Sequence, residues 1–162
     1  MKHTIFAALA ICVAILPAWA ADDAGVTRMA LCQDSWLDWQ KSDPAKLKSF
    51  GDYFRTRFSH KDNDAFVVPN AATFIAGLRV AQVFPESVGM GVGFSAMVDA
   101  DFSTTRAALE KALGKKLGHC ERGDGMNACD LAIAEKRTVT LMAEDSPKAR
   151  QTLIGCYYYY EK

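Results

Sequence analysis

Residues 84–101, F-P-E-S-V-G-M-G-V-G-F-S-A-M-V-D-A-D, constrain the fold more than any other stretch of the chain. From Val88 onward the pattern has period two. Val88, Met90, Val92, Phe94, Ala96, Val98 and Ala100 fall on one side; Gly89, Gly91, Gly93, Ser95, Met97, Asp99 and Asp101 fall on the other. Successive side chains of a β-strand point to opposite faces, so the stretch predicts a strand with one apolar face and one half-bare face. A glycine inside a strand costs about 0.5–1 kcal/mol relative to alanine. Gly89, Gly91 and Gly93 therefore predict a close approach to the backbone: a crossing helix, a strong bend, or a ligand lying in a groove.

The start of the chain reads as an address. Met1-Lys2-His3 is short and weakly basic, residues 4–16 are almost unbroken apolar, and Pro17-Ala18-Trp19-Ala20 places small residues at A-x-A positions. This predicts a secretory signal peptide over residues 1–20, cleaved after Ala20, and a single domain over 21–162. The apolar run is shorter than the roughly 20 residues that a membrane-spanning helix needs. Leu9-Ala10-Ile11-Cys12 is a poor lipoprotein signal, because Ile11 is too large before a lipidated cysteine. The expected compartment is the periplasm, with no stable membrane anchor after cleavage.

Four cysteines remain after the leader: Cys32, Cys120, Cys129 and Cys156. An even number in an exported domain predicts disulfides. Three pairings are possible in principle. Cys120 and Cys129 flank a polar turn, E-R-G-D-G-M-N-A, and would close a short loop; Cys32 would then pair with Cys156. A metal site built from His119, Cys120 and Cys129 is the competing reading, and it lacks a C-x-x-C knuckle.

Helical periodicity dominates the first third. Val26, Met29, Cys32, Trp36 and Trp39 recur at spacings of three and four, predicting one amphipathic helix. Asp43-Pro44 caps and starts a second, with Leu47, Phe50, Phe54 and Phe58 on its apolar stripe. Residues 73–101 then read as a long β-hairpin turning at Pro85-Glu86-Ser87. Ser103-Thr104 caps another helix, and Gly114 stops it. Short strands follow over 117–121, 128–134, 138–143 and 151–160. The links between strands are too short for parallel crossovers. The expected class is α+β: an antiparallel sheet with helices packed on one face, two of them N-terminal, stabilised by disulfides.

Catalytic patterns are scarce. The mature chain holds only His60 and His119, and no nucleophile elbow, zinc-binding H-E-x-x-H, phosphate loop or calcium loop is present. No catalytic residue, cofactor or metal is assigned. The net charge is zero, with no basic patch, so nucleic-acid binding has no electrostatic footprint. Tyr157, Tyr158, Tyr159 and Tyr160 put two tyrosines on each face of the terminal strand, a residue type enriched at interface hot spots. Export, small size, disulfides and this aromatic run predict a protein-binding module, more specifically an inhibitor or immunity protein that neutralises a toxic or lytic enzyme in the periplasm. Two further readings stay open. One is a small-ligand carrier using Gly89, Gly91 and Gly93; the other is a hydrolase working with carboxylates such as Glu86 and Asp99.

Overall fold

The structure, a computed structural model, describes residues 23–60 and 65–158. The predicted leader and its cleavage site lie outside these residues. Four helices are described: α1 (Ala24–Ala30), α2 (Trp36–Ser42), α3 (Pro44–Arg57) and α4 (Phe102–Leu113). Ten strands accompany them: β1 (Phe58–His60), β2 (Val67–Pro69), β3 (Phe74–Ile75), β4 (Leu78–Phe84), β5 (Ser87–Val88), β6 (Gly91–Val98), β7 (Gly118–Gly123), β8 (Met126–Ala134), β9 (Arg137–Glu144) and β10 (Thr152–Tyr158). The sheet runs β1-β2-β4-β6-β10-β9-β8-β7, with β3 beside β4 and β5 beside β6, and every pairing is antiparallel. No helix among the described residues is long and apolar enough to cross a membrane.

Three helices precede the sheet, not the two expected. The periodic stretch over 26–39 is broken after Ala30, because Cys32 takes a left-handed φ of 58°. The amides of Gln33 and Asp34 both donate to the Arg28 carbonyl, at 2.8 and 3.1 Å, and close α1. Ser35 then opens α2 by accepting from the Asp38 amide at 3.2 Å. A helical spacing survives across the break in sequence but not in backbone.

Asp23 anchors the start of this layer. Its buried carboxylate accepts from the amides of Gly25 and Val26, from the Tyr53 hydroxyl and from Arg57 Nη1 at 2.8 Å. Burial, followed by the adjacent carboxylate, pushes the Tyr53 phenol well above its ordinary range. α3 starts as expected, with Asp43 accepting from the Lys46 amide at 3.0 Å and Pro44 in the first turn. α4 starts two residues earlier than expected: Asp101, rather than Ser103 or Thr104, is the cap and accepts from the Thr104 amide at 2.8 Å. That hydrogen bond, with those from the Ser103 and Thr104 hydroxyls, holds the Asp101 carboxyl at about 2. Gly114 ends α4 at φ 63°.

The expected strand over 73–84 is also interrupted. Ala76 and Gly77 both have positive φ, 51° and 76°, and form a tight turn that pairs Ile75 with Leu78. Beyond it, β4 and β6 form the hairpin core, with Val83 opposite Ala96 and Phe84 opposite Ser95. Phe94, Ala96 and Val98 of β6 are fully buried, as are Val139 and Leu141 of β9 and Ile154 and Cys156 of β10. They share one hydrophobic cluster with Val26, Met29 and Leu109 from the helices. α1 packs against β6 and β10, and α4 against β9.

Cys32 is joined to Cys156 across 124 residues, and Cys120 to Cys129 across 9. The first bond ties the turn after α1 to the middle of the sheet. The second closes β7 onto β8, which consumes the thiols that a metal site with His119 would need. β7 is an exposed edge. Its residue His119 has a φ of 45°, its register with β8 shifts there, and Glu121 and Arg122 carry charge, features that discourage a second sheet from adding on.

Two predictions follow from these contacts. Replacing Cys32 and Cys156 together by serine is expected to lower unfolding free energy by more than the same change at Cys120 and Cys129, within the roughly 2–5 kcal/mol typical of native bridges. Urea midpoints of the two double variants test this. Glu110 accepts from Lys116 Nζ at 2.6 Å, Arg106 Nε at 3.0 Å and the Leu117 amide at 3.2 Å. Lys116 above all draws its carboxyl from 4.5 to about 2. A depressed folded-state value stabilises the fold above pH 4.5, and that contribution disappears as pH falls toward 2. The stability gap between the native chain and Glu110→Gln is therefore expected to be constant above about pH 5.5 and to shrink below 4.5.

Candidate functional site

The face of the sheet opposite Phe94, Ile154 and Cys156 is built from three registered rows. Gly93, Tyr157 and Thr138 form one, Ser95, Gly155, Thr140 and Asp130 the next, and Met97, Leu153, Met142 and Ala128 the third. Two of these positions are glycines on adjacent strands, and they leave a notch. Val88 fills it. A Cβ on Gly93 would lie 2.6 Å from Val88 Cγ2, and one on Gly155 would lie 2.9 Å from the same atom. Val88 is 4% exposed.

The notch explains the chain between β4 and β6. A turn at residues 85–86 sends β5 back onto the sheet, and a second turn at Gly89 and Met90 leads into β6. Gly89 has a φ of 55°, which the turn requires. Ser95 Oγ donates to the Ser87 carbonyl at 2.7 Å, and the Gly93 amide donates to the Glu86 carbonyl at 3.3 Å. Trp36 Nε1, at the start of α2, donates to the Gly93 carbonyl at 3.0 Å. The short hairpin is thus fastened by a buried side chain and backbone hydrogen bonds.

This overturns one expectation about the alternating stretch. Val88 and Met90 do not continue the apolar face of Val92, Phe94, Ala96 and Val98, because the turn at Gly89 separates them from β6. Val88 crosses to the opposite face. Met90 is left at the apex of the turn with 108% relative exposure, a fully solvated apolar side chain.

The glycines have separate surroundings. Gly93 faces Val88 and the Cys156 main chain, with a virtual Cβ 2.1 Å from the Cys156 carbonyl oxygen. Gly91 lies under the Tyr157 ring, where a Cβ would come within 1.7 Å of Cε2. Gly89 borders Met142, whose Cε is 3.4 Å from the virtual Cβ. Gly89, Gly91 and Tyr157 line a shallow recess of about 300 Å³ with Asp130, Thr140 and Met142, and Gly93 does not reach it. The Thr140 hydroxyl donates to Asp130 in its floor. A wider, open hollow of about 1050 Å³ continues from Gly89 past Met97, Met126 and Met142 toward Arg150.

The terminal tyrosines divide. Tyr158 is 2% exposed, with its ring edge-on to Trp36 at 5.8 Å and its hydroxyl 3.8 Å from Met29 Sδ. Burial raises its phenol well above the ordinary range. Tyr158 is a core residue and leaves the predicted partner surface, because β10 is central in the sheet and Tyr158 packs against Met29 of α1 and Trp36 of α2. Tyr157 is half-buried on the opposite face. Tyr159 and Tyr160 lie outside the described residues.

The acids considered for hydrolysis line different hollows. Glu86 borders a recess beside α3, whereas Asp99 borders the hollow that also touches Asp101. Asp99 accepts from Gln151 Nε2 at 2.9 Å, and Asp101 is committed to capping α4. Among the described residues, no group of three or more histidines, cysteines or acids is placed to hold a metal ion.

Four methionines, Met90, Met97, Met126 and Met142, border these two adjoining hollows, and the sequence reading did not single them out. Alternation assigns Met97 to the glycine face of β6, and a similar count is possible for Met142 on β9. Their proximity depends on β10 lying between β6 and β9, which no local pattern reveals.

Comparison with family models, curated proteins and solved structures finds no match for the chain.

Gly93→Ala and Gly155→Ala are each expected to destabilise the fold by about 1–3 kcal/mol, the usual cost of overpacking. Val88→Gly, which empties the notch, is expected to leave the sheet intact while loosening residues 85–90. Hydrogen exchange at the Gly93 amide, which donates to Glu86, reports that loosening.

Proposed function

We propose that this chain is an exported protein-binding module, an inhibitor or immunity protein that neutralises a toxic or lytic enzyme in the periplasm. In this reading the leader is removed after Ala20, the helices gather on the Cys156 face of the sheet, and the opposite face meets the partner. The observation that carries it is Met90: a large apolar side chain, fully exposed, on a turn whose other limb is pinned by buried Val88.

An unsupported loop would lose conformational freedom on binding, whereas a pinned turn has already lost much of it. Methionine suits this position because its unbranched, polarizable side chain adapts to an irregular pocket. Half-buried Tyr157 and Met142 flank the turn and extend the contact. Asp130 and Thr140 supply hydrogen-bonding groups at the floor of the recess. The surface is thus an apolar anchor with a polar surround, the arrangement in which interface hot spots are found. Two disulfides suit an oxidising compartment.

The test is capture and inhibition together. The tagged chain from Ala21 is incubated with native periplasmic extract, and retained enzymes are assayed with and without added protein. The expected result is stoichiometric inhibition of one hydrolase or toxin, lost in Met90→Asp and weakened about tenfold or more in Tyr157→Ala, with thermal midpoints unchanged for Met90→Asp. Equal inhibition by Met90→Asp would remove this surface from the proposal, and the absence of any inhibited enzyme would remove the function.

A further inference from the structure

A second recess lies on the other side of the hairpin, and it has the makings of a small-molecule site. Its volume is about 470 Å³, within the roughly 300–1,000 Å³ range of ligand pockets. Trp36, Phe50, Phe54 and Phe58 provide its apolar wall. Phe54 packs edge-on to Phe50 at 4.7 Å and stacks on Phe58 at 4.6 Å, so the wall is held from within. Trp36 spends its indole N–H on the Gly93 carbonyl, leaving the ring itself as an apolar lining. Trp36, Phe50 and Phe54 are only half-buried, and α3 has no fully buried residue.

Two cations border the mouth, Lys48 and Arg55, together with the His60 imidazole and one acid, Glu86. Lys48 and Arg55 already hold a carboxylate: Asp52 accepts from both, with Lys48 Nζ at 3.1 Å. Both cations are largely exposed and can turn toward an incoming anion.

Gly51 is the independent sign that this space is kept open. It sits in the middle of α3, where glycine weakens a helix relative to alanine. Neither close packing nor positive φ requires it: a Cβ there would meet only Arg55 Nη1, at 3.6 Å. What the missing side chain does is widen the recess between Lys48 and Arg55, since Gly51 itself lines the cavity.

We infer that this recess binds an amphipathic monocarboxylate, its aromatic or medium-length alkyl body against Phe50 and Phe54 and its carboxylate between Lys48 and Arg55. The site is separate from the partner surface at Met90 and stands or falls without it. Because the cations are exposed, the charged contribution weakens as salt rises.

Octanoate, 1-octanol and octylamine share a body and differ in head group. Isothermal titration of the folded chain with each, in parallel with tryptophan emission, tests the inference. Octanoate is expected to bind roughly tenfold or more tightly than octanol, with octylamine weakest, and the gap is expected to narrow in high salt. In Gly51→Leu, octanoate binding is expected to vanish while the thermal midpoint holds or rises. The exposed pair Lys48→Gln with Arg55→Gln serves as a second variant, and it is expected to bind octanoate no better than octanol. Octanoate binding that equals octanol in the native chain, survives Gly51→Leu in full, or is untouched by the double glutamine change would overturn the inference.

Discussion

Two absent side chains, at Gly93 and Gly155, govern the outer surface. They lie on neighbouring strands and let Val88 descend onto the sheet. A methyl group at either position would collide with Val88 or with main chain. Everything from residue 85 to residue 90 takes its position from that contact. One limb of the hairpin faces the aromatic recess through Pro85 and Glu86, and its apex projects Met90 beside Tyr157. The entropic cost of glycine in a strand is offset by a rigid excursion that an ordinary hairpin turn would not provide.

Much of the architecture was legible where residue type and spacing coincide. Asp43-Pro44 announces α3, Gly114 ends α4, and the alternation of Val92, Phe94, Ala96 and Val98 marks the buried face of β6. The failures share a cause. Each arises where a left-handed residue interrupts a pattern that continues in sequence: Cys32 between α1 and α2, Ala76-Gly77 within the stretch read as one strand, Gly89 ahead of β6. Periodicity is blind to such breaks, because side-chain spacing can look unchanged across them. Tyr158, expected on the partner surface, was misplaced for a different reason. Which face of β10 points inward depends on the helices that pack there, and Tyr158 shares the face of Cys156.

The candidate sites were less legible than the fold. The three glycines read as one groove, yet they meet three different neighbours: Met142, the Tyr157 ring, and Val88 with the Cys156 main chain. The aromatic recess draws Trp36 from α2, Phe50 and Phe54 from α3, Phe58 from β1 and Pro85 from the hairpin. No window of sequence contains them together. Phe50, Phe54 and Phe58 are a helical stripe by spacing, and such a stripe ordinarily means core. Here the layer it faces covers it only in part, a property of tertiary arrangement that the stripe itself does not encode.

The strand order carries a consequence for how this chain can fold. β10 is the final described strand, yet it occupies the centre of the sheet, between β6 and β9. Without residues 152–158, β1-β2-β4-β6 and β9-β8-β7 are two separate ribbons with no shared hydrogen bonds along the main path. Cys32 also waits for its partner on that strand. A chain emerging N-terminus first from a ribosome or a translocation pore therefore cannot close its core stepwise. It stays open until residues 152–158 are free, and then joins both ribbons in one long-range event, the kind of contact that slows folding. Such a chain is committed to its native state by its last described strand.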